Sequence, residues 1–231
     1  YSNAIGLRHT TKKVTLHNNV FFHVSGDGVR ADGAGQHQIV GNAIVRLNMQ
    51  ALTNACDRAY FNRWLCIPAA FRIHSGNTVK DNVVVSGPGA GYLTDGEHCS
   101  AAEFSWSGNY ARGTRDGIVV AEKPADATFN WEPGTSPTTC RRVGGALAHA
   151  IADQGIMVWY VTGAVEVQDF TAVDASIGAA AILDGKAMAG YHETRHITYS
   201  NCAFAGHWDH QAACRSTADY SWGCKMSLLD S

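Results

Sequence analysis

At 231 residues, with 45% hydrophobic and 16% charged content, the chain can bury a sizeable core, which excludes a disordered or purely solvated segment. Its 18 basic and 20 acidic residues leave a net charge of −2 with no basic block, which excludes the electrostatic footprint of a nucleic-acid partner. No apolar run reaches the roughly 20 residues of a membrane span, so any membrane attachment is expected from parts of a parent chain outside this segment.

Short β-prone stretches recur along the chain, each running into a polar anchor and an apolar pair. The first joins Val14-Thr-Leu to Asn19 and Val-Phe-Phe, with Gly28 nine residues after the anchor. Gln38-Ile-Val leads to Asn42; Val79 leads to Asn82, Val-Val-Val and Gly91; Phe104-Ser-Trp leads to Asn109, Tyr-Ala and Gly117. Arg142-Val leads to Ala146 and Gly155, Val165-Glu-Val to Asp169 and Gly178, and Ile197-Thr-Tyr to Asn201. Anchors at 19, 42, 82, 109, 146, 169 and 201 lie 23, 40, 27, 37, 23 and 32 residues apart, a base period near 23 lengthened by insertions.

A short bend between strands suits Asn, which tolerates left-handed backbone, and stacked Asn side chains bond along a pile of strands. The glycine marks a second bend with no room for a Cβ. The pattern therefore predicts an all-β fold, a right-handed parallel β-helix (solenoid) of about seven rungs. Loop insertions are expected at about 48–70 and 123–139, and an irregular, disulfide-containing stretch at 206–231. An antiparallel sandwich also has short, evenly spaced strands, but it has no reason to repeat an Asn-to-Gly distance.

Seven cysteines (Cys56, Cys66, Cys99, Cys140, Cys202, Cys214 and Cys224) form no C-x-x-C pair and point to an oxidising, extracellular setting. Cys56 with Cys66, and Cys214 with Cys224, are placed to close local loops, and the odd count leaves one thiol free or paired elsewhere.

The runs His17-Asn-Asn19-Val-Phe-Phe-His-Val-Ser-Gly26-Asp-Gly28-Val-Arg-Ala-Asp32-Gly33, Ile39-Val-Gly-Asn42-Ala, Pro68-Ala-Ala-Phe71-Arg-Ile73 and Asn77-Thr-Val-Lys-Asp-Asn82 resemble the β-helix region of fibrocystin-like proteins and the related cell-surface hyaluronidases. The resemblance covers residues 14 to about 120; the generic rung pattern continues over 140 to 205. It implies a piece of a large secreted or cell-surface molecule, with a ciliary surface among the settings. Other surface proteins or glycans are expected as partners, and further copies of the chain where rungs at its ends need caps. Asp27 stands where that family is expected to carry His, and Ala31-Asp32 where it is expected to carry an acidic pair.

For chemistry, Asp32 and Asp95 each follow a rung glycine (Gly28, Gly91) by four residues and are expected on one face, about 10 Å apart across one intervening rung. That lies slightly beyond the carboxylate spacing of an inverting glycosidase. His17, His37, His74, Glu97 and His98 are expected near the same face, and solvated turn carboxylates are the plainer reading.

His192-Glu-Thr-Arg-His196 spells the H-E-x-x-H zinc motif, but Ile197 follows in strand register, where residues four apart cannot share an ion. His207-Trp-Asp-His210 near Cys202 and Cys214 is explained by disulfides and surface histidines, so no metal and no cofactor are expected. Trp64, Trp106, Trp131, Trp159, Trp208 and Trp222 are more than such a core needs, and sugars stack on exposed rings. The expected role is a non-catalytic structural and recognition segment, with polysaccharide binding or cleavage as the alternative.

Overall fold

A computed structural model describes residues 3–8, 12–32, 36–48, 68–101, 104–121, 140–159, 164–183, 196–205, 212–216 and 225–229. Strands follow one another in layers. β1 (Asn3–Arg8) precedes β2 (Thr15–His17), β3 (Val20–Ser25) and β4 (Asp27–Asp32); the next layer holds β5 (Gln38–Val40), β6 (Ala43–Asn48) and β7 (Ala69–Ile73). Then come β8 (Thr78–Lys80), β9 (Val83–Thr94) and β10 (Glu97–His98), followed by β11 (Trp106–Ser107) and β12 (Asn109–Ala121). The long β13 (Cys140–Trp159) and β14 (Ala164–Leu183) each run through a whole layer, and β15 (His196–Ser200), β16 (Ala203–Ala205), β17 (Ala212–Ser216) and β18 (Lys225–Leu229) complete the order.

Each strand pairs in parallel with its counterpart one layer on: β2 with β5, β3 with β6, β4 with β7, and so on through β14 with β15, β16 and β17. The exception among the described residues is β10, which runs antiparallel to the start of β13. Among the described residues the fold is all-β with parallel sheets, one of fourteen strands and one of four. Within the stretch 206–231, the described residues form β17 and β18, which pair with β14 and β15. Within the strands the backbone amides are satisfied by the neighbouring layer, and at the bends side chains take over that role.

Two bends recur in register. Asn18, Gly41, Asp81, Gly108, Gly145, Asp169 and Asn201 occupy one position in successive layers, all with φ between 50° and 67°. Only Gly, Asn and Asp appear there, the residue types for which left-handed backbone costs least. Five residues later a second left-handed position holds His23, Arg46, Ser86, Gly113, Ala150 and Asp174.

The polar anchors therefore have a different job from the one their spacing suggests, since the bend falls on the residue before each asparagine. Asn19, Asn42, Asn82 and Asn109 follow the bend and form a ladder. Asn19 Nδ2 donates to Asn42 Oδ1 at 2.9 Å, Asn42 Nδ2 to Asn82 Oδ1 at 3.0 Å, and Asn82 Nδ2 to Asn109 Oδ1 at 3.2 Å. Ala146 pairs with Asn109 and Phe170 with Ala146, so the column continues through apolar residues. Asp169 and Asn201, read as anchors, are instead bend residues one position earlier.

The glycines after the anchors have ordinary φ, and space is what they supply. A Cβ on Gly117 would lie 2.3 Å from Gly155 O, and one on Gly155 would lie 2.5 Å from Gly178 O. Inside, like positions stack: Ile39, Val79, Trp106, Val143 and Val167 form one buried file, and Val29, Phe71, Tyr92, Ile118 and Ile156 another. The rings of Phe71 and Tyr92 are stacked 5.3 Å apart at 10°, and Tyr92 donates its hydroxyl to Asn82 O at 2.7 Å. Burial of each large apolar side chain contributes about 1.5–3 kcal/mol.

Candidate functional site at one corner of the layers

Where β4, β7 and β9 end and the chain turns toward β5, β8 and β11, polar side chains collect. The pairs Ala31–Ile73 and Ile73–Thr94 set the register, and one residue further on Asp32, His74 and Asp95 follow one another in adjacent layers. With strands about 4.8 Å apart, the backbone positions of Asp32 and Asp95 are about 10 Å apart, with that of His74 between them. His74 is buried, and its Nδ1 lies 3.3 Å from Asp95 Oδ2. Asp95 Oδ1 accepts the Ser75 amide at 2.7 Å, which orients the carboxylate toward the imidazole.

Deeper in the same corner, Asn77 Oδ1 accepts the His37 amide at 2.9 Å, while Asn77 Nδ2 donates to His74 O at 2.8 Å. His37 Nδ1 accepts the Val14 amide at 3.1 Å, so its proton is carried on Nε2. Burial lowers the His37 pKa from the ordinary imidazole value. Glu97 accepts from the Ser105 hydroxyl and, at 3.1 Å, from the Ser105 amide. The corner holds one imidazole, His37, in a fixed tautomer and another, His74, beside a carboxylate, features that general acid–base chemistry and polar ligand binding both use.

Of the residues singled out in the sequence, the register brings together Asp32, His74 and Asp95, with His37 and Glu97 at the same turn. It does not bring in His17, exposed at the far end of β2 and paired with Val40, or His98, exposed on β10 with its Nδ1 2.7 Å from Ser100 Oγ. His196 opens β15 beside Ala164, and Trp106 is in the core; His192, His207, His210, Trp64, Trp131, Trp208 and Trp222 lie outside the described residues. Asn77 was missed, although it precedes Asn82 by five residues just as His37 precedes Asn42.

A buried ion pair was missed as well. Asp27 takes both Arg72 Nε at 2.8 Å and Arg72 Nη2 at 3.0 Å, and accepts the Ala69 amide at 3.1 Å. Asp27 thus anchors an arginine in the next layer, and no signal within either residue's own repeat announces the pairing.

Cys99 and Cys140 form a disulfide with Cα atoms 5.3 Å apart, tying β10 to the start of β13. Such a bond fits an oxidising setting. Their sulfurs and a Glu166 oxygen lie within 4.8 Å of one another, but the sulfurs are bonded and Arg142 Nε holds Glu166 at 3.2 Å. Cys202 is a buried free thiol, and Cys56, Cys66 and Cys224 lie outside the described residues, as do the side-chain contacts of Cys214.

The Asn ladder, from Asn19 to Asn109, falls in the part of the sequence that carries the family resemblance. Over 167 residues, 71% of this chain, the sequence is 28% identical to fibrocystin of Canis lupus familiaris. The chain spans 4% of the length of that relative, so it corresponds to a small part of it. No family model matches the chain, and no solved structure matches it.

Proposed function

We propose that this fibrocystin-like chain is a structural and recognition segment of a large extracellular or cell-surface protein, built as a right-handed parallel β-helix. Its partners would be other surface proteins or glycans. The observation that carries this reading is the in-register stack itself: strands, bends and asparagines repeat layer upon layer, with buried polar groups tied to one another. Such a rod presents its exposed columns to a partner at fixed spacing. The similarity to fibrocystin and the disulfide support the surface setting.

A second reading rests on Asp32, His74 and Asp95. An imidazole oriented by one carboxylate, with a second carboxylate at the adjacent strand position, suits binding or cleavage of a polysaccharide. One experiment separates the two: the chain is incubated with a glycan panel, and both retention and new reducing ends are read. Retention without new ends supports the recognition role. New reducing ends that disappear in Asp32→Asn and Asp95→Asn would replace it with the enzymatic one.

A further inference from the structure

Asp116 on β12 pairs with Ala90 on β9 and, two residues before the Ile118–Ile156 pair, lies level with Gln154 on β13. Asp116 is 3% exposed and Gln154 8%, so neither has access to bulk water to satisfy its polar atoms. Asp116 Oδ1 and Gln154 Oε1 are both buried without a hydrogen-bond partner. Two acceptor oxygens in neighbouring layers, with strands about 4.8 Å apart, face a cost that a single donor would remove.

The rest of the cluster shows where that donor comes from. Gln154 Nε2 already donates to Asp153 Oδ1 at 3.1 Å, so the amide's orientation is set by Asp153. Turning the amide over would aim its oxygen at that carboxylate. Arg115 lies outside, 63% exposed, with Nε 3.8 Å from Asp116 Oδ2 and Nη2 3.6 Å from Asp153 Oδ2. It faces the Oδ2 atoms of both aspartates and leaves Asp116 Oδ1 unmet.

We propose that Asp116, Gln154 and Asp153 form an acid-closed relay in which a proton on Asp116 donates to Gln154 Oε1 and the Gln154 amide donates to Asp153. The relay fastens β12 to β13 when the surroundings are mildly acidic and loosens when Asp116 ionises. Burial pushes the Asp116 carboxyl up to about 6; Arg115 opposes the shift, Asp153 adds to it, and the backbone N–H of Gln154 opposes it. These are the charged groups acting on Asp116 from β12 and β13, while β9 sets Ala90 opposite it.

The sign follows from the raised value. Because the folded chain binds this proton more tightly than the unfolded chain, stability from Asp116 grows as pH falls through about 6 and is lost above it. The test compares melting temperatures of the wild-type chain and Asp116→Asn from about pH 7.5 to about pH 5. Asparagine carries a donor at every pH, so the variant should melt higher than wild type at the upper end, and the gap should close as the pH falls. A gap that does not change with pH overturns the relay. A carboxyl ¹³C titration of the wild-type chain gives a second reading that needs no variant. Asp116 should titrate near 6, and a midpoint in the ordinary carboxylate range overturns the proposal.

Discussion

Asn42 and Asn82 meet through a single oxygen: Asn82 Oδ1 accepts both the side-chain amide and the backbone amide of Asn42, each at 3.0 Å. Both residues are fully buried, and Asn82 Nδ2 also donates to Ile39 O at 2.8 Å. The ladder thus satisfies backbone groups at the bend that no strand partner reaches. In Asn82→Ala the Asn42 amide and the Ile39 carbonyl lose these bonds inside the core, at about 1–3 kcal/mol each. Urea unfolding should show a loss of about 2–4 kcal/mol for Asn82→Ala. Asn19→Ala, at the partly exposed end of the ladder, should lose under about 1 kcal/mol.

Glycines in this chain serve two separate needs, and substitutions should tell them apart. Gly113 has φ +62°, yet a Cβ there would find nothing nearer than Ser86 at 3.8 Å, so Gly113→Ala should cost only backbone strain, about 1–2 kcal/mol. Gly155 has ordinary φ, but its Cβ would press to 2.5 Å from Gly178 O and 2.6 Å from Ala172 Cβ. Gly155→Ala should therefore cost about 3 kcal/mol or more, because two layers must part. The converse change, Ala150→Gly at φ 53°, should raise the melting temperature, with a gain of about 0.5 kcal/mol.

The Asp27–Arg72 pair is buried, with both side chains under a tenth exposed. Arg72→Met keeps most of the volume but strips Asp27 of its two short bonds. Denaturant unfolding should show a loss of about 3–5 kcal/mol, the cost of a buried charge that has lost its main partner. A double variant, Asp27→Asn with Arg72→Met, should recover part of that loss.

His37 gives the fold an acid sensitivity opposite in sign to that of Asp116. Its folded pKa lies below the ordinary value of 6.5, so the unfolded chain takes up the proton first. The stability it contributes is complete above 6.5 and is lost as pH falls through the lowered value. Replacing it with Asn, which accepts a backbone amide here much as Asn77 does one layer on, should flatten this part of the stability–pH curve. A curve for His37→Asn that keeps the wild-type slope would show that the slope has another source.

Much of this architecture was legible in the residues themselves. Periodic Asn and Gly at a fixed offset implied stacked strands, because a bend and a tight approach each restrict residue type at one position. The same local logic assigned Asp32 and Asp95 to equivalent rung positions. It misjudged the phase of Asp169 and Asn201 by one residue, since Asn and Asp suit both the bend and the ladder rung after it.

Which side chains then met one another lay beyond that logic. Layers come together across insertions of differing length, so residues 40 or more positions apart become neighbours: Asn42 with Asn82, Asp27 with Arg72, Cys99 with Cys140. Residue type and spacing along the chain determined that strands would repeat and where they would bend. The packing of one layer on the next decided that His74 would meet Asp95 and that Asp116 and Gln154 would both be buried in neighbouring layers. Burial and partner choice depend on atoms brought close by folding, and only the tertiary structure sets those.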